Sequence, residues 1–407
     1  MNTQTQTIIL AGGRGSRLSP LTNERSKPAV PFGGKYRIID FTLANCLHSG
    51  LRRVLVLTQY KSFSLQKHLR DAWSIYNPEL GEYITSVPPQ MNIGNHWYRG
   101  TADAVYQNLN LLKHSGAKWV LILSGDHIYR MDYAAMLKYH RESAAELTVA
   151  SMAVPVNEAA SAFGVLTVDN NSRVTAFEEK PQQPTQIPGD NQHALASMGI
   201  YVFSIDLLID ALETDVENDQ STHDFGGDII PRLIDEKPVY AYRFGGTTGR
   251  VTPDRYWRDV GTIDSYYEAN MDLLATVPPL DLYQPDWPIR SYSAKNPPLR
   301  AVQGDSGNEG VLINSMAAGG VIIAGGGVHH SILFSNVFID DQAMVNNAII
   351  FEGVNVGAES KLENCIIDKN VTIPPGESIG LDLEKDAQRF TVSERGIVVI
   401  PKHYRFN

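Results

Sequence analysis

The residues best suited to contact phosphate are concentrated in one short loop near the start of the chain. Gly12, Gly13 and Gly15 are interspersed there with Arg14 and Arg17. Glycines let the main chain approach a polyanion with its N–H groups directed at the oxygens, and arginines add charge-assisted hydrogen bonds. The loop is therefore predicted to bind a phosphate-bearing substrate. A tight turn with solvated arginines is the alternative.

Two common phosphate-binding loops do not match this sequence. A P-loop requires a lysine after its last glycine, and a dinucleotide fingerprint requires a third glycine where this chain has Leu18. The loop is instead followed by segment 26–29, Ser-Lys-Pro-Ala. Lys27 is a second candidate phosphate ligand, because the proline after it favours a fixed loop over a solvated one.

A candidate carboxylate follows the apolar run 119–123, which predicts a buried strand. Ligands of open parallel sheets bind beyond the carboxyl ends of the strands. Asp126 is therefore predicted to lie where a site should form. The alternative is that it caps the turn after the strand.

The elements expected around these residues are those of an α/β domain. Apolar residues at helical spacing alternate with short apolar runs, which predicts βαβ units and a mostly parallel sheet. The expected helices cover residues 38–47, 102–113, 133–143 and 265–274, and the expected strands cover residues 7–10, 54–57, 119–123, 147–153, 164–168, 174–177 and 197–203.

A different pattern begins after segment 278–298, whose six prolines are typical of an extended linker. Apolar residues then recur with a period of 17, at Ile322, Val328 and Leu333; Ile339, Val345 and Ile350; Val356, Leu362 and Ile367; and Ile373 and Ile379. Three short strands per repeat predict a parallel hexapeptide β-helix, a fold whose coils are left-handed. The alternative is an antiparallel sandwich of short strands, but that fold does not require apolar residues to recur with a fixed period.

Length and composition exclude several classes of function. At 407 residues the chain is expected to form two domains, and its net charge of −10 argues against nucleic acid or an anionic membrane as the main partner. Its two cysteines match no metal-ligand spacing. The polar start resembles neither a signal nor a transit peptide, and no apolar run reaches membrane-spanning length. A cytoplasmic protein is expected.

Seven segments together resemble the ADP-glucose pyrophosphorylases of bacteria, a family of sugar-1-phosphate nucleotidyltransferases. The segments are 10–18, 27–30, 97–105, 125–129, 179–181, 196–201 and 256–262. The resemblance extends over nearly the whole chain. It implies a Rossmann-like nucleotidyltransferase domain over residues 1–276, a proline-rich linker over 277–299 and a left-handed β-helix over 300–407.

The resemblance implies that glucose 1-phosphate attacks the α-phosphorus of ATP, which gives ADP-glucose and pyrophosphate. A site for two polyanions must align them and neutralise the leaving group. Asp126 and Asp259 are implied as ligands of Mg²⁺, a cation that prefers oxygen donors; Asp259 could instead pair with Arg258. The implied ATP-binding residues are Gly12, Gly13, Gly15, Arg17 and Lys27, of which Arg17 and Lys27 would also act in catalysis with the two aspartates.

Glucose 1-phosphate is expected, by the same resemblance, to contact Tyr98, Gly164, Glu179, Lys180 and Ser197. Lys180 would bind the phosphate, and Glu179 and Ser197 would bind sugar hydroxyls. A surface ion pair is the alternative for Glu179 and Lys180.

Two further residues, Gln59 and Trp97, have several possible roles. The Gln59 amide could serve a nucleobase, a relay or a helix end, and Trp97 could stack on a ligand or fill a core. The family resemblance favours a relay between regulatory and catalytic sites.

Small-molecule effectors regulate many bacterial members of this family through basic residues. This chain has Glu24 where activator-responsive relatives often have lysine, and its segment 386–392 has fewer cations than expected. We therefore expect altered or weakened activation by sugar bisphosphates, with Arg25, Arg37 and Arg389 as the remaining candidates for an anion site. Glu24 could instead simply pair with Arg25 or another neighbour.

The resemblance also implies a homotetramer that supplies the glucosyl donor for glycogen or a similar α-glucan. Two other functions stay open. One is a sister enzyme that uses another nucleotide or sugar, and the other is a catalytically silent regulatory subunit of a mixed oligomer. Retention of Arg17, Lys27, Asp126, Lys180 and Asp259 argues against a silent subunit.

Overall fold

The computed structural model describes residues 4–90, 96–245 and 255–406, so the first three residues of the polar start lie outside it. Its helices are α1 (Ile38–His48), α2 (Phe63–Trp73), α3 (Thr101–Tyr106), α4 (Leu109–Lys113), α5 (Tyr133–Glu142), α6 (Val156–Ala159), α7 (Ile205–Val216), α8 (Ile230–Glu236), α9 (Ile263–Met271) and α10 (Leu383–Ala387). None of these helices is both long and apolar enough to cross a membrane.

The first part of the chain contains fourteen strands in the described ranges: β1 (Thr5–Ala11), β2 (Pro31–Phe32), β3 (Tyr36–Arg37), β4 (Arg53–Thr58), β5 (Tyr83–Val87), β6 (Trp119–Ser124), β7 (His127–Tyr129), β8 (Leu147–Pro155), β9 (Val165–Val168), β10 (Val174–Glu178), β11 (Gln186–Ile187), β12 (Asp190–Ser204), β13 (Val239–Arg243) and β14 (Trp257–Asp259).

A ten-stranded mixed sheet forms the centre of this domain. Its main order is β10-β9-β12-β6-β1-β4-β5; β11 and β8 also pair with the long strand β12, and β13 pairs with β8. Strands β6, β1, β4 and β5 are parallel, as predicted, whereas β12 runs antiparallel to β6 and β8. Consecutive residues of β1 pack into different cores, Ile8 on one face and Ile9 on the other. Both faces are therefore covered, which explains the continuous apolar runs of the parallel strands.

The predicted helix over 102–113 is wrong at its centre, because α3 and α4 are separated by Gln107 and Asn108. The Asn108 side chain donates to the Ala104 carbonyl, at 2.8 Å, and to the Tyr98 hydroxyl, at 3.0 Å. Asparagine side chains compete in this way for backbone acceptors and interrupt helices. The Asn108 side chain thereby contacts Tyr98, which lines the cavity described below.

The C-terminal part is a hexapeptide β-helix, as predicted. Its strands are β15 (Arg300–Val302), β16 (Val311–Ile313), β17 (Met316–Ala317), β18 (Ile322–Ala324), β19 (Gly327–His329), β20 (Ile332–Leu333), β21 (Phe338–Ile339), β22 (Met344–Ile350), β23 (Asn355–Val356), β24 (Lys361–Ile367), β25 (Thr372–Ile373), β26 (Ser378–Ile379), β27 (Thr391–Val392) and β28 (Val398–Ile400).

The 17-residue repeat of the sequence corresponds to stacked coils. Val328, Val345, Leu362 and Ile379 lie above one another on successive parallel strands. The predicted start at Ile322 is wrong by one residue, because Ile323 is the partner of Ile339 and is fully buried. The spacing from Ile323 to its partner Ile339 is therefore 16 residues rather than 17. A search for a fixed period cannot detect a coil that is one residue shorter.

The proline-rich segment is packed against the first domain rather than free in solvent. It contains no helix or strand between Ala275 and Leu299, all within the described residues, but Leu280, Trp287 and Ile289 are buried. The Trp287 indole donates to Asn45 Oδ1, at 3.0 Å, on α1. The domain boundaries around this segment stay predictions.

Candidate active site

The glycine loop follows directly from β1 and closes on the segment that carries Lys27. Gly15 has φ +63°, a left-handed conformation that favours glycine, and a Cβ there would lie 3.0 Å from Lys27 Cβ. Thr22 Oγ1 donates to the Gly15 carbonyl at 2.9 Å. The loop then turns through Ser16–Leu18, which buries Leu18 and leaves Arg17 exposed. The sequence thus folds so that the loop and Lys27 share one wall.

That wall borders a cavity of about 520 Å³ at the carboxyl ends of the parallel strands. The cavity lining includes eight of the predicted site residues, together with polar and backbone positions that were not predicted. The predicted residues are Gly12, Gly13, Gly15, Arg17, Lys27, Gln59, Tyr98 and Asp126, and the missed residues include Thr101, Asp224 and Gly261.

Lys27 joins the two predicted metal ligands. Its ammonium lies 2.7 Å from Asp259 Oδ1 and 3.0 Å from Asp126 Oδ2, and the residue is 6% exposed. The carboxylates meet because β7 and β14 pair antiparallel, with Asp259 opposite His127. The alternative pairing with Arg258 is wrong, since Arg258 lies 3.6 Å from Asp272.

Electrostatics hold Asp126 and Lys27 in their charged forms. Burial disfavours the Asp126 carboxylate, but Lys27 and His127 outweigh that effect and keep the pKa of Asp126 well below its usual range. Burial likewise disfavours the Lys27 ammonium, yet Asp126 and Asp259 raise the pKa of Lys27 above its ordinary value. The charged forms therefore depend on one another.

The donor set beside Lys27 fits a divalent cation. One oxygen from each of Asp126 and Asp259 and one ring nitrogen of His127 lie within 4.8 Å of one another. The other ring nitrogen, His127 Nδ1, is buried without a hydrogen-bond partner. Two carboxylates suit Mg²⁺, and an imidazole is compatible with several divalent metals. His127 was missed by sequence reasoning, although it directly follows Asp126 in the chain.

The residues predicted to bind a sugar phosphate form a second group next to the cavity. The Ser197 amide donates to the Gly164 carbonyl at 2.8 Å, and a Cβ at Gly164 would lie 3.0 Å from Glu179 Oε2. Glu179 also contacts Gly226, where a Cβ would lie 2.5 Å from the same oxygen. Lys180 pairs with Glu179 at 3.1 Å and is 58% exposed, so its ammonium can reach a ligand.

Asp224 links this second group to the cavity. Its Oδ1 accepts from the amides of Gly226 and Gly227, and its Oδ2 accepts from Thr101 Oγ1 at 2.8 Å. Sequence reasoning missed Asp224 because it lies in a loop far from the other site residues, outside any predicted strand end. The only local signal is an aspartate two residues before a glycine pair, which is common in ordinary turns.

Gln59 acts on the backbone of the predicted sugar site rather than at a helix end. Its side-chain amide bonds to the main-chain N–H of Tyr98, at 3.0 Å, and to the Tyr98 carbonyl, at 3.3 Å. Trp97 is 53% exposed, so the alternative of a core residue is wrong. The two residues are thus adjacent through Tyr98, and their role as a relay stays a prediction.

The three arginines predicted for an anion site are already engaged. Arg25 forms a buried ion pair with Asp368, at 2.9 Å, and Arg389 pairs with Glu377 and Asp386. Arg37 donates to the carbonyl and hydroxyl of Ser64. The structure therefore does not support Arg25 and Arg389 as free anion ligands.

Arg37 does line a second cavity, of about 640 Å³, between the two parts of the chain. Lys35 and Lys369 line it as well, and sequence reasoning missed both. Glu24 pairs with Lys402 at 2.7 Å, and this hydrogen bond lowers the pKa of Glu24. The alternative of a pairing neighbour is thus confirmed for Glu24.

Comparison with known proteins covers nearly the full chain. Residues 6–276 match the family model of nucleotidyl transferases, and residues 297–400 match that of GlmU-like C-terminal hexapeptide domains. Glucose-1-phosphate adenylyltransferase 2 of Vibrio parahaemolyticus is 65% identical over 98% of both chains. The protein of the same name from Vibrio cholerae is 61% identical over 99% of both chains. Glucose-1-phosphate adenylyltransferase of Alteromonas mediterranea is 49% identical over 98% of this chain and 92% of its own.

Proposed function

Since the chain belongs to the glucose-1-phosphate adenylyltransferases, within the nucleotidyl transferase family, we propose that it transfers the adenylyl group of ATP to α-D-glucose 1-phosphate. The products are ADP-glucose and pyrophosphate, and the pathway supplied is that of glycogen or a similar α-glucan. The observation that carries this proposal is the Lys27 bridge between Asp126 and Asp259, at 3.0 and 2.7 Å, respectively, beside the glycine loop. It gathers the charges that phosphate transfer requires.

The ATP phosphates bind along the glycine loop in this proposal. Gly12 and Gly13 line the cavity, and Arg17 is exposed at the end of the loop. Arg17 and Lys27 neutralise the pyrophosphate as it leaves. Glucose 1-phosphate binds at the second group, with Lys180 on its phosphate and Glu179 on its hydroxyls, supported by the ion pair of these two side chains.

Mg²⁺ is the proposed cofactor, and Asp126 and Asp259 would hold it, with His127 next to them. When bound, it would supply positive charge to the phosphates that are being transferred. The protein's own contribution is alignment. The strand pair β7 and β14 fixes the two carboxylates opposite the glycine loop, so the attacking phosphate and the nucleotide are brought together on one side of the sheet.

Pyrophosphate release tests the proposed reaction. Glucose 1-phosphate and Mg²⁺ are supplied with ATP, GTP, CTP, UTP or dTTP, and the Asp126→Asn variant serves as the matched control. We expect strong preference for ATP and a product with the mass of ADP-glucose. Preference for another nucleotide would identify a sister enzyme, and no release with any nucleotide would favour a silent regulatory subunit.

Lys180→Gln is expected to raise KM for glucose 1-phosphate by about tenfold or more, with a smaller effect on KM for ATP. A charge-assisted bond to phosphate contributes about 1.5–3 kcal/mol, and glutamine cannot supply its charge. Steady-state kinetics with each substrate varied in turn provide the measurement. Lys237→Gln is the control, because Lys237 pairs with Glu146 at the surface. Equal effects of Lys180→Gln on both KM values would refute the assignment.

Gly226→Ala is expected to raise KM for glucose 1-phosphate by about tenfold while changing kcat little. The new methyl group would meet Glu179 Oε2 at 2.5 Å and force this carboxylate to move. The neighbouring Gly227→Ala is a matched control, since its nearest atoms would lie at 3.7 and 3.8 Å and both amides donate to Asp224. The same KM in both variants would contradict the placement of Glu179 at the sugar.

Regulation by anionic effectors is proposed for the cavity between the domains, with Arg37 and Lys35 as ligands. Lys369 also lines this cavity but is paired with Glu352 at 2.8 Å. We expect fructose 1,6-bisphosphate to activate by less than about twofold, because Arg25 and Arg389 are already paired with carboxylates. Calorimetric titration combined with the pyrophosphate assay measures both binding and activation. Tight, strongly activating binding would contradict this expectation.

The proposal also includes a homotetramer that acts in the cytoplasm. Family resemblance supports the tetramer, and the expected role in α-glucan synthesis supports the compartment. Light scattering of the purified chain, at concentrations above and below those of the kinetic assay, tests the assembly.

A further inference from the structure

The Lys27 ammonium occupies the space that two carboxylates would offer to a cation. It contacts one oxygen of Asp126 and one of Asp259, and its stem is packed against Gly15 of the phosphate-binding loop. The backbone around it is fixed by the turn Lys27–Ala29, in which the Val30 amide donates to the Lys27 carbonyl at 3.0 Å. Movement of Lys27 is thus confined to its flexible side chain.

A divalent cation bound to the two oxygens that contact this ammonium would lie close to it, and the two positive charges would repel each other. Lys27 also lines the cavity in which a nucleotide would bind. Phosphate oxygens bound in that cavity would offer the ammonium a second set of partners in place of the two carboxylates.

We propose that Lys27 and the divalent cation exclude each other from the Asp126–Asp259 pair. The ammonium neutralises the carboxylates in the free protein, and it is released towards the nucleotide phosphates when the cation binds. Metal affinity is accordingly low without nucleotide and rises when phosphate can accept Lys27. This inference rests on the proposed function, because it takes both aspartates as cation ligands.

Manganese binding to the nucleotide-free protein tests the exclusion. Mn²⁺ serves as the probe, and the electron paramagnetic resonance signal of the free ion reports its binding. Lys27→Met removes the charge and keeps the stem, so we expect it to bind Mn²⁺ at least about tenfold more tightly than the unmodified chain. Lys180→Met is the control with unchanged affinity, because Lys180 pairs with Glu179 instead.

A third variant tests whether the increase in Mn²⁺ affinity arises at the Asp126–Asp259 pair. Adding Asp259→Asn to Lys27→Met is expected to remove the increase in Mn²⁺ affinity. Equal or weaker binding by Lys27→Met than by the unmodified chain would overturn the proposal. So would a gain in affinity that survives Asp259→Asn.

A measurement on the unmodified chain avoids any effect of substitution on folding. Acylation of lysines, mapped by mass spectrometry, should be slow at Lys27 in the free protein and several-fold faster after Mg²⁺ is added, while Lys180 stays constant. No increase at Lys27 would overturn the exclusion. The pyrophosphate assay separates this result from the proposed function, since an active enzyme whose Lys27 never responds to Mg²⁺ retains the function and loses only the exclusion.

Discussion

Asp126→Asn is expected to lower kcat for ADP-glucose synthesis by about 10³-fold or more. The substitution keeps the size of the side chain but removes one of the two negative charges that face Lys27. Loss of a metal ligand costs several kcal/mol of transition-state stabilisation, and each 1.36 kcal/mol corresponds to about a factor of ten in rate. We therefore expect the substitution to lower kcat while the protein remains folded.

Folding should survive this substitution because Lys27 keeps Asp259 as a partner at 2.7 Å. The thermal midpoint is expected to shift by less than about 4 °C. Asp71→Asn makes the same chemical change on an exposed helix, where Asp71 pairs with Lys67 and Arg70, and it should leave kcat unaltered. A kcat within tenfold of the unmodified value for Asp126→Asn would remove this residue from the catalytic group.

The parts of the site that could be predicted from sequence are those at the ends of regular elements. An apolar strand followed by Gly12 and Gly13, and another followed by Asp126, predict ligands at one edge of a parallel sheet, and the cavity lies there. Asp224 could not be found in this way. Its position at the cavity depends on a hydrogen bond with Thr101, 123 residues away, and no periodicity encodes such a contact.

The β-helix was predictable for a different reason. Each coil repeats the same burial, so Val345 and Leu362 occupy equivalent places one coil apart. Local changes in coil length are not periodic. The fixed 17-residue period therefore predicts Ile322 at the position that Ile323 occupies in the structure. Packing of the proline-rich segment against the first domain could not be predicted either. Proline content predicts an extended backbone, but it does not predict that Trp287 is buried.

Charged residues are the hardest to assign, as Arg25 and Glu24 illustrate. The family resemblance places both in a run that is expected to contact effectors, and Arg25 is one of the predicted anion ligands. In the structure Arg25 is 5% exposed in its side chain and pairs with Asp368 of the β-helix, whereas Glu24 pairs with Lys402 at a more exposed place. Neighbouring residues thus make two contacts between the same domains, in different dielectric surroundings.

Asp368→Ala is expected to lower the free energy of unfolding by about 3–5 kcal/mol, because it leaves the Arg25 guanidinium buried without a counter-charge. Arg25 Nη1 has no hydrogen-bond partner even in the intact pair, so little else is available to compensate the charge. Lys402→Met breaks the exposed pair with Glu24 and should cost no more than about 1 kcal/mol.

Urea denaturation, followed by tryptophan fluorescence and circular dichroism, compares these two variants with Arg25→Met/Asp368→Leu. This double variant should recover most of the stability lost in Asp368→Ala, because apolar side chains remove the cost of the unpaired charge. Recovery would show that Arg25 and Asp368 act as one buried unit between the domains. Similar small losses in Asp368→Ala and Lys402→Met would instead mean that water reaches Arg25, and would restore Arg25 as a candidate for an anion site.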